Sequence, residues 1–457
     1  AGLVAAAGAA GLGARVALIE RALMGGDCLN VGCVPSKAIL RAARAVADVR
    51  RSEQFGVRLP GAASLDFAAV MSRMRGLRAQ LSGTDSALRF RDLGVDVFLG
   101  SGRFTGRDTI AVAERQLRFL RAVIATGGRP ALPNISGLAD AGYLTNETIF
   151  NLTDLPQRLA VIGAGPIGCE LAQAFARFGS QVTLIGRQPQ ILPREDPDAA
   201  AVVGRSLQRD GVRILTGGGP NCVAVDGADM SILLDDGSQL LVNRILVAAG
   251  RVANVEKLDL ESAGVKYDAS GVVVDDRLRT TNPRVFAAGD VCSRFKFTHA
   301  ADAMARLVIQ NALFFGRAKA SLLTIPWCTY TEPALAHVGL TEEAARQRDI
   351  AIDTIQQDMK HVDRAVLDSE EIGFLKVHLK KGTDRIVGAT AVSAHADSLI
   401  AELTLAMTAG IQLPTIARTI HAYPTHMEAV RKVADTYNRG RLTPFVKRLF
   451  QQWFAWR

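Results

Sequence analysis

The sequence has little of the material from which membrane spans and disulfide-stapled secreted domains are built. None of its uninterrupted apolar runs reaches the roughly 20 residues that a membrane-spanning helix needs. The alanine-rich opening AGLVAAAGAAGLGARVALIE lacks the basic start of a signal peptide. Only six of the 457 residues are cysteine, which suits a reducing compartment better than a secreted scaffold. These absences predict a cytoplasmic globular protein.

Acidic residues are fewer than basic ones: the chain has 45 Asp and Glu against 54 Lys and Arg, which gives a net charge of +9. No dense block of lysine and arginine is present, so a nucleic-acid-binding function is excluded. The excess is either a solvated basic surface or a preference for anionic ligands. The chain is long enough for about two to four domains, each with its own core.

The opening residues match the second half of a dinucleotide-binding unit. They predict a helix that begins near Gly2 and a strand, ARVALIE, that ends in Glu20. A glycine at the helix start lets the backbone approach a pyrophosphate, and the acid accepts a hydrogen bond from a ribose hydroxyl. The first strand and the first two glycines of such a unit are absent from the sequence.

A complete unit follows in RLAVIGAGPIGCELAQAFARFGSQVTLIGR. It predicts a strand over 159–162, the glycines Gly163, Gly165 and Gly168, a helix and a second strand. Strand before and helix after are the context that a dinucleotide-binding motif requires. The alternative is a glycine-rich turn without a ligand.

The second strand of this unit ends without the expected acid. Gly186 and Arg187 stand there, and Arg194 follows. An acid would repel a 2′-phosphate, whereas an arginine can bind it with two hydrogen bonds. The pattern therefore favours NADPH over NADH, unless Arg187 is simply an exposed surface residue.

Two later stretches repeat each other: AVIATGGRP (122–130) and RILVAAGRVAN (244–254) are each an apolar β-run that ends in small residues and an arginine. They predict one copy per nucleotide-binding domain. A third stretch, TTNPRVFAAGDVC (280–292), predicts a strand that ends at Gly289 and Asp290. An acid at a strand end can bond a ribityl or ribose hydroxyl.

The pattern changes from about residue 321. Alternating apolar and polar residues predict antiparallel strands, and DSLIAELTLAMTAGI predicts an amphipathic helix, so we expect a separate α+β domain. The basic, aromatic tail TPFVKRLFQQWFAWR could lie on a membrane surface, dock on a partner, or pack on its own domain as an ordinary terminal helix.

The stretch GGDCLNVGCVPSKAIL places Cys28 and Cys33 between glycines. A structural zinc site would need a second close pair of ligands, but the remaining cysteines, at 169, 222, 292 and 328, are scattered singly. A passive disulfide is disfavoured in a reducing compartment. A redox-active pair fits better, with Asn30 and Gly32 allowing the backbone to depart from a helix between the sulfurs.

The predicted position of Cys33 near a helix start favours its thiolate, because the helix dipole lowers the pKa of a thiol there. Lys37, one turn further on, adds positive charge or reaches a bound ring. No resident metal site is predicted.

At this point the residues resemble a known family. GGDCLNVGCVPSK is similar to the active-site signature of the class I pyridine nucleotide–disulfide oxidoreductases, which include glutathione reductase, dihydrolipoamide dehydrogenase and mercuric reductase. The resemblance covers essentially the whole chain, and ELAQAFARFGSQVTLIGR looks most similar to mercuric reductase.

The resemblance implies an α/β fold with two Rossmann-like dinucleotide-binding domains and a C-terminal α+β dimerisation domain. The implied borders are an FAD-binding domain in two parts, 1–145 (truncated at its N-terminus) and 266–320, an NAD(P)H-binding domain over 146–265, a dimerisation domain over 321–440, and a tail over 441–457. The implied assembly is a homodimer with shared active sites. We further expect the chain as given to bind FAD poorly, because the first strand and two phosphate-facing glycines are absent.

The resemblance also implies roles for individual residues. The FAD positions are Gly2, Glu20, Lys37, Gly102, Thr126, Gly127 and Asp290. The NAD(P)H positions are Gly163, Gly165, Gly168, Arg187, Arg194 and Gly250. Glu170 would pair with Lys37 beside the flavin, and hydride would pass from nicotinamide to flavin N5. Electrons would then reach the disulfide, with Cys33 as the thiol that faces the flavin and Cys28 as the thiol that attacks substrate.

Several positions depart from the family pattern. Asp27 replaces a more usual threonine, and Tyr423 stands where disulfide reductases carry the histidine that shuttles protons, although the acid Glu428 is kept. Mercuric reductase resembles the chain in having tyrosine there, but its vicinal cysteine pair is missing from the ending FAWR. His421 and His426 are either substitute bases or surface and capping residues.

Two enzymatic functions follow, and one of another class. The first is a mercuric-reductase-like enzyme that binds Hg(II) transiently at Cys28 and Cys33 or reduces a thiol-linked acceptor. The second is a dihydrolipoamide dehydrogenase or glutathione-type disulfide reductase with a displaced base. The third is a redox-sensing or membrane-docked flavoprotein.

Overall fold

A computed structural model describes residues 1–61, 63–227, 229–314 and 316–457. Two separate units make up the chain. The first contains Ala1–Arg187 and Gly218–Leu323, and the second contains Gln188–Gly217 and Thr324–Arg457. The last change of unit, between 323 and 324, lies close to the domain border that we predict at 320/321.

The first unit mixes helices with short parallel and antiparallel strands. Its helices are α1 (Gly2–Gly11), α2 (Gly26–Val31), α3 (Cys33–Arg50), α4 (Phe67–Ser82), α5 (Ala87–Asp92), α6 (Pro166–Phe178) and α8 (Thr298–Leu313). Its strands are β1 (Val16–Glu20), β2 (Val95–Leu99), β3 (Gly102–Gly106), β4 (Thr109–Val112), β5 (Arg115–Arg118), β6 (Ala122–Ile124), β7 (Gly128–Pro130), β8 (Arg158–Ile162), β9 (Gln181–Gly186), β11 (Pro220–Asp226), β12 (Asp229–Leu234), β13 (Gln239–Val242), β14 (Arg244–Val247), β15 (Arg251–Ala253), β16 (Tyr267–Asp268), β17 (Gly271–Val272) and β18 (Val285–Ala287).

The complete glycine-rich motif folds as the sequence predicts. β8 pairs in parallel with β9 on one side and with β14 on the other. Its last four residues are buried, as a continuous apolar run in a parallel sheet should be. Pro166 opens α6, where a missing N–H costs nothing, and Gly179 ends it with a positive φ of 114°.

The two repeated stretches lie side by side. β7, from the first copy, pairs antiparallel with β15, from the second, with Gly128 opposite Ala253. β6 pairs in parallel with β18, so the residues that follow both strands emerge at the same edge. Ligands of parallel α/β folds bind at this carboxyl edge, and the candidate FAD residues Thr126 and Asp290 follow these two strands.

The second unit is an antiparallel sheet covered by helices. Its sheet has the order β19 (Trp327–Thr329), β20 (Ala334–Gly339), β23 (Ile386–Ser393), β22 (Phe374–Lys380), β21 (Ile352–Asp358). Its other elements are α7 (Pro197–Arg209), β10 (Arg213–Thr216), α9 (Glu342–Arg346), α10 (Asp363–Leu367), α11 (Ala396–Ala409), α12 (Leu413–Arg418), α13 (Glu428–Gly440) and α14 (Pro444–Ala455). One apolar core joins this sheet to α11, α12 and α13.

Strand β22 differs from the alternating pattern that the sequence predicts. Six of its seven residues are buried, including Lys376 and His378. Lys376 is neutralised by two carboxylates, since its Nζ lies 2.9 Å from Asp196 Oδ2 and 2.6 Å from Asp198 Oδ2. A buried ammonium group is stable only with such partners. The polar positions of β22 therefore face a charged network instead of water.

The tail helix α14 is exposed along its whole length, with only Val446 half-buried. Its exposed aromatic residues include Phe445, Trp453 and Phe454. The alternative of a terminal helix packed on its own domain is therefore wrong. No helix within the described residues is both long and apolar enough to cross a membrane.

Candidate active site

The two cysteines lie on consecutive helices that a single glycine separates. Cys28 lies within α2, and Cys33 is the first residue of α3. Gly32 between them has φ −127° and ψ −115°, which breaks the helix. A Cβ at Gly32 would come within 2.9 Å of the Asp27 carbonyl oxygen and 3.2 Å of Cys28 Cα, so only glycine fits. We expected Asn30 to contribute to this break as well, but that is wrong, because Asn30 lies inside α2.

The surroundings of Cys33 favour its thiolate. A hydrogen bond from the Cys28 thiol is the largest cause that lowers the pKa of Cys33 to about 6. Thr298 Oγ1, 3.3 Å from the sulfur, and the charge of Lys37 lower this pKa further, while burial opposes them. The same hydrogen bond raises the pKa of Cys28 well above its ordinary range. The pair is thus arranged as a thiolate at 33 and a protonated thiol at 28.

Lys37 and Glu170 form the ion pair that the family resemblance implies. Lys37 Nζ donates to Glu170 Oε2 over 2.8 Å. The Glu170 side chain is only 6% exposed, whereas that of Lys37 is 37% exposed. The buried carboxylate therefore fixes the ammonium group at the start of α3, one turn after Cys33.

The turn after β6 is tied to the strand that repeats it. Thr126 Oγ1 donates to the Asn254 carbonyl over 2.7 Å, and Asn254 Nδ2 donates back to the Thr126 carbonyl over 2.9 Å. Gly127 has a φ of +69°, a conformation that favours glycine. These contacts leave Thr126 and Gly127 as a rigid turn at the carboxyl edge.

Asp27 and Asp290 share one arginine. Arg251 places its Nη2 3.3 Å from Asp27 Oδ2 and its Nε 3.5 Å from Asp290 Oδ2. Burial raises the pKa of Asp290, and Arg251 counteracts this rise. The unusual Asp27 therefore has a structural role, because it joins the cysteine-bearing helix α2 to the arginine that neutralises Asp290. The motif RILVAAGRVAN contains Arg251, but nothing in its local pattern indicates these two long-range contacts.

Three residues that the resemblance assigns to FAD, Gly2, Glu20 and Gly102, lie at the ends of elements of the first unit. Gly2 begins α1, and a Cβ there would lie 3.4 Å from Ala125 Cβ, beside Thr126. Glu20 ends β1, and its Oε1 accepts from the Ala22 N–H over 2.8 Å. A Cβ at Gly102 would lie 3.2 Å from the Ile19 side chain, so Gly102 allows close packing behind β1. These residues fit FAD.

In the Gly-x-Gly-x-x-Gly turn before α6, each of the three glycines is required for a different reason. Gly163 has φ +117°, and a Cβ there would meet the Ala248 carbonyl oxygen at 2.3 Å. A Cβ at Gly168 would meet the Gly163 carbonyl at 1.9 Å, so this glycine allows the helix to approach the strand. A Cβ at Gly165 would instead have no atom of a non-adjacent described residue within 4 Å. A pyrophosphate at the α6 N-terminus therefore fits.

The other predicted nucleotide residues lie at different places. Arg187 follows directly after β9 and is exposed. Gly250 has φ +122°, and its carbonyl accepts from the Ala131 N–H over 2.9 Å, so it shapes the β14–β15 turn. Arg194 is exposed and belongs to the second unit.

Tyr423 has a partner that the sequence did not reveal. Its hydroxyl donates to Asp363 Oδ2 over 2.9 Å, and this hydrogen bond raises the pKa of the phenol. Lys432 lies 3.6 Å from Asp363 Oδ1 and 3.2 Å from Glu428 Oε1, so it links the two acids. The phenol is therefore held protonated, and Glu428 is neutralised by a lysine.

The two histidines that flank Tyr423 are engaged with carboxylates. His421 Nε2 lies 3.0 Å from Glu402 Oε1, and His426 Nε2 lies 3.2 Å from Asp368 Oδ2. Their side chains are only 8% and 10% exposed. The alternative of surface histidines is therefore wrong, whereas a role of either ring as substitute base stays a prediction.

Comparison with known proteins agrees with this geometry. Residues 1–305 match the pyridine nucleotide-disulphide oxidoreductase family, and residues 325–434 match its dimerisation domain. The mercuric reductase of Streptomyces lividans is 36% identical over 446 residues, which cover 95% of this chain and 93% of that protein. That of Staphylococcus aureus is 34% identical over 431 residues, covering 93% and 79%.

Relatives with other activities are similarly close. The dihydrolipoyl dehydrogenase of Chlamydia muridarum is 33% identical over 437 residues, which cover 93% of this chain and 92% of that protein. The solved structure of LpdA from Mycobacterium tuberculosis has a TM-score of 0.88 at 26% identity, covering 95% and 97%. The flavoprotein disulfide reductase RclA from Escherichia coli has a TM-score of 0.85 at 27% identity, also covering 95% and 97%.

The family matches, the cysteine pair and the glycine-rich turn lead to one conclusion. The expected α/β fold with a C-terminal dimerisation domain and the NAD(P)H-dependent flavoprotein chemistry are confirmed. This chain belongs to the pyridine nucleotide–disulfide oxidoreductase family and is an FAD-dependent, mercuric-reductase-like member of it.

Proposed function

We propose that this enzyme uses NADPH to reduce a thiol-bound soft metal ion, with Hg(II) as the substrate that fits best. The observation that carries the proposal is Tyr423, whose hydroxyl donates to Asp363 at the position where disulfide reductases carry an imidazole. The mercuric reductases among the relatives support the same substrate class.

The proton balance of the two reactions explains why Tyr423 matters. Reduction of a disulfide by NADPH consumes a proton and releases two thiols, so a leaving thiolate has to be protonated. Reduction of thiol-bound Hg(II) by NADPH yields Hg(0), NADP⁺, one thiol and one thiolate. The proton that Cys28 loses on binding the metal goes to one displaced ligand, and the other leaves as a thiolate, so no separate proton donor is needed. A phenol with its pKa raised above 10 by Asp363 is a poor proton shuttle at neutral pH. The metal reaction tolerates it.

FAD, when bound, supplies the two-electron carrier that links NADPH to thiol chemistry. In our proposal, the residues of this chain hold the two sulfurs in different protonation states. Cys33 remains a thiolate at neutral pH, supported by Cys28, Thr298 and Lys37. Cys28 keeps its proton until a soft metal ion displaces it, because thiolates are preferred ligands of soft ions. The pair then binds Hg(II) as two thiolates and becomes a disulfide when electrons leave with the product.

A competition assay tests the acceptor. Holoenzyme is given NADPH with Hg(II) and excess thiol, with lipoamide, or with oxidised glutathione, and NADPH oxidation is followed. We expect the fastest turnover with Hg(II). Faster turnover with either disulfide would overturn the proposal in favour of a disulfide reductase with a displaced base.

We also propose NADPH as the preferred reductant, since Arg187 stands exposed directly after β9 where NAD-specific folds carry an acid. Arg187→Gln should raise KM for NADPH about 10-fold or more and leave KM for NADH nearly unchanged. Arg194→Gln, measured in parallel, shows whether the second arginine shares the 2′-phosphate. Equal effects of Arg187→Gln on both nucleotides would contradict the assignment.

The dimerisation domain supports a homodimer, and we propose that each subunit supplies Tyr423 and Glu428 to its partner's cysteine pair. If sites are shared, mixing a Cys33→Ser subunit with a Tyr423→Ala subunit should give one intact site per mixed dimer and so recover whatever activity the Tyr423→Ala dimer has lost. Mixed dimers that remain as inactive as the parents would contradict sharing.

The exposed α14 supports a membrane-docked or partner-bound variant of the flavoprotein as the alternative. Stopped-flow mixing with NADPH separates it from the enzyme. A flavin that NADPH never reduces would favour the sensing function.

A further inference from the structure

The second unit contains a cluster of metal-ligating side chains that neither the cysteine chemistry nor the cofactors use. His395 Nε2 lies 3.3 Å from Glu370 Oε2, and His426 Nε2 lies 3.5 Å from the same oxygen. One ligand atom from each of the three residues lies within 4.8 Å of the other two. Three separate segments of chain therefore direct donor atoms at one point.

The distances suit the ligands of one shared ion. Zinc bonds of 2.0–2.1 Å in a tetrahedral site place neighbouring ligand atoms about 3.4 Å apart. The two measured histidine–glutamate separations straddle this value. Charge-assisted hydrogen bonds between nitrogen and carboxylate are shorter, about 2.7–2.9 Å. The spacing is that of co-ligands more than that of an ion pair.

The two histidine rings are oriented toward the same carboxylate. The His395 and His426 rings have centroids 4.2 Å apart and planes tilted by 39°, which brings both Nε2 atoms to the same carboxylate. His395 immediately precedes α11, and Glu370 lies shortly before β22, so both are anchored by regular structure.

We propose that Glu370, His395 and His426 form a site for a divalent ion of the zinc class. Two imidazoles and one carboxylate with an open fourth position are a known zinc donor set. Hard ions such as Mg²⁺ and Ca²⁺ prefer oxygen alone, so the imidazoles exclude them. Asp368, 3.2 Å from His426 Nε2, holds that ring in the ion-free state.

The site also affects the loop before α13, which contains Tyr423. His426 lies three residues after Tyr423 and two before Glu428, within one loop that leads into α13. A bound ion would tie this loop to the start of α11 and to the segment before β22. The ion would therefore restrict the movement of the segment that carries Tyr423 and Glu428.

Metal uptake tests this directly. Untagged holoenzyme with Cys28→Ser and Cys33→Ser, which removes the thiol pair, is dialysed against Zn²⁺ and its metal content is measured. We expect a single zinc ion per chain, a higher melting temperature, and with Co²⁺ a visible spectrum without the intense near-ultraviolet absorption of cobalt–thiolate bonds. Uptake should weaken by more than about 10-fold in Glu370→Gln, His395→Asn and His426→Asn.

Matched controls are adjacent in the chain. Glu371→Gln and His361→Asn remove an exposed carboxylate and an exposed imidazole from the same unit and should leave uptake unchanged. His395, whose side chain is 41% exposed, is the variant least expected to disturb folding. Absence of uptake, or uptake that His395→Asn and Glu370→Gln leave unchanged, would overturn the proposal. Since the cysteine pair is absent in this test, the result is independent of the proposed acceptor.

Discussion

The family resemblance assigns the two halves of disulfide chemistry to Cys33 in the first unit and Tyr423 in the second, yet their surroundings favour opposite protonation states. Hydrogen bonds from Cys28 and Thr298 and the charge of Lys37 lower the pKa of Cys33 to about 6. A hydrogen bond to Asp363 raises the pKa of Tyr423. One position is prepared to hold an anion, and the other to keep its proton.

This difference separates electron delivery from proton delivery. Around Cys33, the groups that the family resemblance implies are all present: Cys28 is hydrogen-bonded to Cys33, and Lys37 is paired with the buried Glu170. At the family's histidine position the tyrosine end carries a phenol, which does not titrate near neutral pH. In our proposal, this difference suits the enzyme to an acceptor that takes electrons without needing a proton at a leaving group.

The largest expected effect comes from removing one of the two cysteines, Cys28 or Cys33. Cys28→Ser or Cys33→Ser should lower acceptor-dependent NADPH oxidation by at least about 10³-fold, because no dithiol remains to carry electrons. Cys222→Ser, which removes a half-buried single cysteine, is the control and should retain activity. Undiminished turnover in either active-site variant would remove the basis for the thiol mechanism.

The second largest effect should come from placing an imidazole at position 423, where disulfide reductases have a histidine. Tyr423→His should raise disulfide-reductase activity by up to about 10²-fold, since imidazole titrates near neutral pH and can protonate a leaving thiolate. Lipoamide and oxidised glutathione are the substrates to measure. Tyr423→Phe is the matched control and should give no gain. If Tyr423→His also gives none, the absent base is not what limits disulfide reduction.

A third prediction extends the comparison to a buried acid of the second unit. Burial raises the pKa of Glu195 to about 7, although Trp327 Nε1 donates to its Oε1 over 2.8 Å. Because the folded pKa lies above the ordinary 4.5, the protonated acid favours folding, and this stability is lost as the pH rises from about 4.5 through 7. The loss is at most about 3 kcal/mol.

Glu195→Gln should remove that pH dependence. Urea unfolding between pH 5 and 8 measures it, with the exposed Glu371→Gln as control. A Glu195→Gln variant that loses stability with pH as steeply as the parent would show that Glu195 titrates normally.

The smallest effect concerns one hydroxyl beside Cys33. Thr298→Val removes a hydrogen bond that stabilises the thiolate, so the pKa of Cys33 should rise. Iodoacetamide reacts with thiolate only, and its rate against pH should be half-maximal near pH 6 in the reduced parent and at higher pH in the variant. Thr105→Val, an exposed position, should leave the profile unchanged. An unshifted Thr298→Val profile would assign the low pKa to Cys28 and Lys37 alone.

Features carried by local pattern could be predicted from the sequence. The strand, glycine turn and helix from Arg158 to Phe178 follow from a buried apolar run and the conformations that only glycine allows. The start of α3 at Cys33 follows from the glycine before it and the proline in its first turn. The contact between Lys37 and Glu170 spans 133 residues and could be anticipated only through the family resemblance.

Contacts between distant segments could not be predicted in this way. Asp363 and Tyr423 are 60 residues apart, and Cys33 and Thr298 are 265 apart, with no shared periodicity to connect them. Burial of Lys376 was missed because a lysine in an alternating strand normally marks the solvent face, and its acidic partners come from residues 196 and 198. The histidine cluster was missed for the same reason, since 370, 395 and 426 form no spaced motif.

The most direct test of the account maps the redox-active cysteines by differential alkylation. Holoenzyme is alkylated with and without anaerobic NADPH, and the modified residues are identified by mass spectrometry. The account predicts that NADPH exposes two new reactive thiols, at Cys28 and Cys33, with Cys33 modified faster near pH 7. Equal labelling of both positions with and without NADPH would contradict it.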